Sequence, residues 1–126
     1  MIGYVTLGSN QFEAAVAFYD ALLASIGASR VFETDGFIAW SRGKSAHSLA
    51  VVRPWNGEPA TPGNGTMVAL SLDTPAAVDD LHAKALALGA SDEGAPGART
   101  DSFYAGYFRD LDGNKLAGYC FTGSIG

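Results

Sequence analysis

Residues 54–65 read Pro-Trp-Asn-Gly-Glu-Pro-Ala-Thr-Pro-Gly-Asn-Gly. Three prolines and three glycines in this stretch rule out a continuing helix or a central strand, because proline has no amide hydrogen for a ladder and glycine favours tight turns. The stretch lies almost at the midpoint of a 126-residue chain and is its only clear linker. What stands on either side decides the fold, because the order of elements before it starts again after it.

Upstream, residues 1–7 alternate as a strand does, with Val5 and Leu7 on one face and Tyr4 and Thr6 on the other. Ser9 and Asn10 offer a helix N-cap. Phe12, Val16, Tyr19, Leu23 and Ile26 then recur at helical spacing over 11–26, and Gly27 ends the helix. Three strands are predicted at 30–34, 37–41 and 48–53, separated by the hairpin signal Asp35-Gly36 and the turn Arg42-Gly43-Lys44.

Downstream, a strand is predicted at 66–72. Thr74 then serves as N-cap with Pro75 in the first helical position, and the helix runs to Leu88 and is closed by Gly89. Val78, Leu81, Ala85 and Leu88 form its inward stripe. Residues 91–100 are rich in Gly and Pro and are expected to hold at best a short irregular strand, whereas 103–110 and 115–121 read as two full strands. The halves share no obvious identity, so the repeat lies in the order and length of elements. The expected fold is α+β, a single domain 1–126 of two βαβββ modules, 1–57 and 64–126, joined by the linker 54–65.

Composition narrows the function classes. With 48% hydrophobic and 17% charged residues the chain is neither disordered nor fibrous. No apolar run reaches membrane-spanning length and no basic segment precedes an apolar block near residue 1, so a cytoplasmic protein with no membrane partner is expected. The single cysteine, Cys120, cannot form an internal disulfide, which fits a reducing compartment. Net charge is −5 and the eight Lys and Arg residues are scattered, so no nucleic-acid partner is expected.

Two motifs carry a resemblance. Ile2-Gly3-Tyr4-Val5-Thr6-Leu7-Gly8 followed by Val16-Ala17-Phe18-Tyr19-Asp20-Ala21-Leu22-Leu23, and Phe108-Arg109-Asp110-Leu111-Asp112-Gly113-Asn114-Lys115-Leu116 in the second half, resemble the vicinal-oxygen-chelate superfamily, also called the glyoxalase/bleomycin-resistance/dioxygenase superfamily. Gly65-Thr66-Met67-Val68-Ala69 resembles the strand opening its second module. The resemblance implies a cup-shaped, mostly antiparallel sheet with helices outside, a cavity for a small molecule, and a homodimer. In metal-dependent members, His or Glu at four strand positions holds a divalent ion.

Carried onto this sequence, those positions are Tyr4, Met67 and Ala117, with the remaining one near 49–51, where no residue is a carboxylate or imidazole. A divalent site needs several O or N donors, and a phenol, a thioether and a methyl group do not supply them. No metal and no cofactor are therefore expected. His47 and His82, the latter beside Asp79 and Asp80, are read as solvated or locally hydrogen-bonded. The Asp-rich turn lacks the ligand spacing of a calcium loop and is read as a turn.

Strand alternation extends the cavity-facing set from the former ligand positions to Thr6, Ala69, Ser71, Tyr119 and Phe121, leaving Val5, Leu7, Val68, Leu70 and Leu116 toward the helices. Candidate ligand-binding residues are Tyr4, Thr6, Trp40, Met67, Ser71, Tyr107, Arg109, Tyr119 and Phe121. Trp55, Tyr104 and Arg53 are secondary candidates, and ordinary packing or salt bridges are the alternatives. Cys120 has helix-facing parity and is read as a buried thiol. No catalytic residue is assigned. The expected function is a metal-independent, small-molecule-binding protein holding a mostly apolar organic ligand. The alternatives are a lyase or isomerase resembling lactoylglutathione lyase, with Tyr4, Tyr119 or Arg109 as electrophile or proton carrier, and an antibiotic-sequestering protein of the bleomycin-resistance type. A further alternative is that Tyr4, Met67 and Phe121 simply fill the space a metal would take.

Overall fold

The computed structural model describes residues 1–44 and 47–123. Before the linker the elements are β1 (Tyr4–Gly8), α1 (Phe12–Ala24), β2 (Ala28–Thr34), β3 (Phe37–Arg42) and β4 (Ser48–Val52). After it come β5 (Val68–Ser71), α2 (Pro75–Ala87), β6 (Ser91–Thr100), β7 (Phe103–Arg109) and β8 (Lys115–Phe121). Among the described residues each set makes one four-stranded sheet, in the orders β1-β4-β3-β2 and β5-β8-β7-β6. β1 runs parallel to β4 and β5 to β8, and the other pairings are antiparallel. The fold is α+β, two βαβββ modules of matching topology.

The chain divides into two compact units, Met1–Pro62 with Leu111–Asn114, and Gly63–Asp110 with Lys115–Gly126. The four turn residues between β7 and β8 thus belong to the first unit.

Register assigns the two faces of each sheet. In the first unit Val5, Leu7, Leu49, Val51, Ile38 and Trp40 share one face, and all but Val5 are buried. α1 covers this face with Val16, Tyr19, Leu22 and Leu23, and the Tyr19 ring lies 5.8 Å from that of Trp40. In the second unit Leu116, Phe108 and Cys120 are the buried counterparts beneath Val78, Leu81 and Ala85 of α2. A Cβ on Gly118 would meet Leu81 Cδ2 at 2.7 Å, so the absence of a side chain there lets helix and sheet approach closely. Each fully buried Leu or Phe removed from water contributes roughly 1.5–3 kcal/mol, and this is what holds each helix to its sheet.

Several boundaries differ from the sequence expectation. α1 stops at Ala24 because Ser25, Ile26 and Gly27 donate to carbonyls three residues back, a tightened last turn that leaves Ile26 outside the helix. Its N-cap is Gln11, whose side chain makes no capping bond. The Ser9 hydroxyl instead accepts from the Gln11 amide at 3.0 Å and donates to Asp112 Oδ2 at 2.6 Å, while Asp112 Oδ1 accepts from the Asn10 amide at 2.9 Å. A carboxylate a hundred residues downstream in sequence therefore sits at the start of α1, where it also meets the positive end of the helix dipole. Asn114 Nδ2 donates to the Gly8 carbonyl at 3.0 Å and Gln11 Nε2 to that of Leu111 at 3.0 Å, completing the clamp.

β6 is the largest correction. It is a ten-residue strand, and it tolerates Gly94, Pro96 and Gly97 because it lies at a sheet edge and its pairing to β7 is broken by three register shifts. β5 is shorter than expected, although the Leu72 amide still donates to the Tyr119 carbonyl at 2.8 Å beyond its end. α2 begins as its sequence says: the Thr74 hydroxyl accepts from the Ala77 amide at 3.1 Å, with Pro75 in the first turn.

Candidate functional site

With α1 and α2 each covering one face of their sheets, the remaining face of each unit holds most of the candidate residues. In the first unit, parity and register place Tyr4, Thr6 and Gly8 of β1 beside Ser48, Ala50 and Val52 of β4 and Phe37 and Ala39 of β3. Three rings run across this face. Phe37 meets Tyr4 edge-on at 6.1 Å and Phe32 edge-on at 5.7 Å, and Tyr4 and Phe32 are 63% and 54% exposed. Beside Thr6, Phe37 and Val52 the linker residues Pro54, Asn56, Pro59, Ala60 and Thr61 wall a cleft of about 760 Å³, with Trp55 wholly exposed at its rim. A smaller cavity of about 280 Å³ lies on the helix side, lined by Phe12, Val16, Asp20 and Arg30 among others.

In the second unit the corresponding face carries Ser71 and Ala69 of β5, Ala117, Tyr119 and Phe121 of β8, and Phe103, Ala105, Tyr107 and Arg109 of β7. Phe103 stacks on Tyr119 at 5.6 Å, and Phe121 packs against both rings at 5.8 and 5.7 Å. The guanidinium of Arg99 lies 5.3 Å and the ammonium of Lys115 5.5 Å from the centre of the Tyr107 ring. Arg109 Nε donates to Glu93 Oε1, and this pairing holds the Glu93 carboxyl below the usual carboxylate range.

Of the sequence candidates, Tyr4 and Thr6 share the open face of the first unit, and Ser71, Tyr107, Arg109, Tyr119 and Phe121 share that of the second. Met67 precedes β5 and is exposed. Trp40 is the exception. It is 2% exposed, faces α1 and donates its indole N–H to Asp20 Oδ1 at 2.9 Å, so it is a packing residue of the helix side. The apolar run Phe37-Ile38-Ala39-Trp40 hides this, because without polar alternation its parity cannot be read. Phe103, which sequence reasoning did not select, belongs to the aromatic cluster; its two-residue spacing from Ala105 and Tyr107 was the available signal.

The secondary candidates separate as well. The Tyr104 hydroxyl donates to Asp79 Oδ1 at 2.7 Å on the helix side, and that bond, aided by burial, raises its pKa. Arg53 pairs with Glu13 at 3.2 Å and lies over the Phe12 ring at 4.5 Å. His82, 6% exposed, places Nε2 3.0 Å from Asp92 Oδ1 and 3.2 Å from the Tyr107 carbonyl oxygen. Both partners are acceptors, so Nε2 carries the proton. Its acidic partner is thus Asp92 and not the adjacent Asp79 or Asp80. His47 Nδ1 lies 2.7 Å from the Ile2 carbonyl oxygen. Burial, with a smaller contribution from Asp79, pushes the Cys120 thiol up, which disfavours the nucleophilic thiolate.

The family's metal positions can now be tested as a donor set. Ala50 is the residue of 49–51 on the open face, next to Thr6, so the four positions hold a phenol, a thioether and two methyl groups. Among the described residues no group of three His, Cys, Asp or Glu could hold a metal ion. This set does not fit a divalent ion.

Two βαβββ modules, each with a helix on one sheet face and the other face carrying rings and hydroxyls, define the class of fold. The chain belongs to the Glyoxalase/Bleomycin resistance protein/Dioxygenase superfamily, whose family model matches residues 1–117. It is similar to the crystal structure of a glyoxalase/bleomycin resistance protein from Albidiferax ferrireducens T118, at 35% identity and TM-score 0.87, over 95% of this chain and 98% of that one. A glyoxalase-related enzyme from Fulvimarina pelagi has the same fold at 22% identity and TM-score 0.76, over 95% and 87% of the two chains. So does a lactoylglutathione lyase from Agrobacterium tumefaciens at 22% identity and TM-score 0.69, over 95% and 92%. No curated protein matches the chain significantly. Among the described residues no helix is long and apolar enough to cross a membrane.

Proposed function

We propose that this chain binds a small, mostly apolar organic molecule on its open sheet faces, without a divalent ion at the family's metal positions. One observation carries the reading: the faces that would present metal ligands present rings instead, with Tyr4, Phe32 and Phe37 in one unit and Phe103, Tyr119 and Phe121 in the other. Rings held out to solvent lose apolar contact with water when a ligand covers them, and Thr6 and Ser71 add hydroxyls that orient it. As part of the same reading the protein pairs as a homodimer, which light scattering checks.

Thermal unfolding with and without zinc, nickel or manganese tests the metal-free reading. A site with dissociation constant a hundredfold below the free metal concentration adds about 2.7 kcal/mol, enough to raise the melting temperature by several degrees. No rise is expected from any of the three metals, whereas aromatic metabolites are expected to raise it. A large metal-induced rise would overturn the reading.

A further inference from the structure

The open face of the second unit is polarised, and its polarity says more about the ligand than the net charge does. One end is the ring cluster of Phe103, Tyr119 and Phe121, the last 55% exposed. The other end is Tyr107, with Arg99 and Lys115 over its ring. Arg109 and Glu93 beside them neutralise each other, and Lys115 adds to the pull on the Glu93 carboxyl. Arg99 forms no ion pair among the described residues, and neither does Lys115. Asp92 also acts on Glu93, so three cations stand against two carboxylates, which leaves this end positive by one charge on a chain whose net charge is −5.

The position of Arg99 is built into β6. Its guanidinium donates to the Ala95 carbonyl at 2.7 Å and to the Gly97 carbonyl at 3.0 Å, folding back along its own strand. A Cβ on Gly97 would stand 3.0 Å from Arg99 Nη1 and one on Gly94 3.1 Å from Tyr107 Cδ2, so glycine leaves room for the guanidinium at the first position and for the ring at the second. Arg99 falls at the register shift between Ala98 and Thr100, and its guanidinium ends beside the Tyr107 ring of the open face.

Resting on the small-molecule reading above, we infer that this face takes a flat aromatic anion, its ring system on Phe103, Tyr119 and Phe121 and its carboxylate or similar group at Arg99 and Lys115. Along β8, Tyr119 lies two residues from Ala117, the partner of Tyr107, and four residues from Lys115, or roughly 7 and 13 Å at strand rise. A two-ring body with one acidic group covers the shorter span, and the Lys115 ammonium, 5.5 Å from the Tyr107 ring centre, reaches back to meet it. A cation would meet like charge at Tyr107, and an uncharged ligand would gain nothing there.

The test compares three probes of one shape, namely naphthalene-2-carboxylate, naphthalene-2-methanol and naphthylmethylammonium. Binding is followed by amide proton–nitrogen NMR on the full chain. The carboxylate should bind at least about tenfold more tightly than the alcohol, and the ammonium most weakly. The shifts should centre on Ala105, Tyr107, Ala117 and Tyr119, and added salt should weaken the carboxylate alone. Lys115→Gln, a change at a half-buried residue that spares the backbone bonds of Arg99, should bring the carboxylate toward the alcohol's affinity, and Arg99→Met with Lys115→Gln should equalise them. Equal binding of carboxylate and alcohol overturns the anion assignment while leaving an apolar-ligand protein. Shifts confined to the cleft beside Thr6, Phe37 and Val52 overturn the location. A metal-induced rise in melting temperature instead overturns the reading on which the inference rests.

Discussion

Trp40 shows how much one side chain's placement depends on its partner. Its ring is fully buried against Tyr19 and its N–H meets an Asp20 carboxylate that also takes a bidentate pairing from Arg30 at 2.9 and 2.5 Å. Trp40→Phe keeps most of the packing and removes the N–H, so it should cost about 1–2 kcal/mol, read as a lowered urea midpoint with unchanged slope. Arg30 holds the Asp20 carboxyl below the usual carboxylate range, burial opposes that shift, and the Trp40 N–H adds to it. A carboxyl with a depressed folded pKa contributes stability above its unfolded pKa and loses it as pH falls through the folded value. Glu13, Asp92 and Glu93 are shifted the same way, so stability should decline progressively below about pH 4. Asp20→Asn should flatten that decline, measured as melting temperature against pH.

At the scale of elements, the Asp112 clamp and the Thr74 cap make a matched pair. Both satisfy amides at a helix start, but Thr74 does so within its own segment and Asp112 from the β7–β8 turn. Thr74→Ala should cost about 1 kcal/mol. Asp112→Ala should cost roughly 2 kcal/mol, because it removes two bonds to a carboxylate and leaves the Ser9 hydroxyl and the Asn10 amide without it. Urea unfolding of the two variants gives the comparison, and a smaller loss for Asp112→Ala would mean that water replaces the carboxylate without penalty. The Thr74 cap was legible because Thr-Pro before an apolar stripe is a local pattern. The clamp was not. The Asp-Leu-Asp-Gly-Asn turn reads as a turn from its residues, and nothing in them says which distant amides its carboxylate will reach.

For the whole molecule, the two faces of a single sheet separate stability from binding. Phe108 and Phe121 lie on β7 and β8 of the same sheet, the first fully buried and the second more than half exposed. Phe108→Ala should cost about 3–5 kcal/mol, while Phe121→Ser should leave the urea midpoint nearly unchanged and weaken an aromatic ligand. Equal losses of stability would mean that the open face is a packed core, the filled-space alternative.

Order and parity were readable in advance. Proline and glycine at 54–65, the alternation of β1 and β8 and the spacing of both helices determined a repeated βαβββ chain and predicted which residues would leave the helix side, because backbone periodicity is local and is printed in adjacent residues. Only the tertiary structure decided that Trp40 turns inward, that His82 pairs with Asp92, that Phe103 joins Tyr119, and that β6 bends Arg99 over Tyr107. Each of these depends on cross-strand register or on a helix packed over a sheet, and bulges and edge positions shift that register without a local signal.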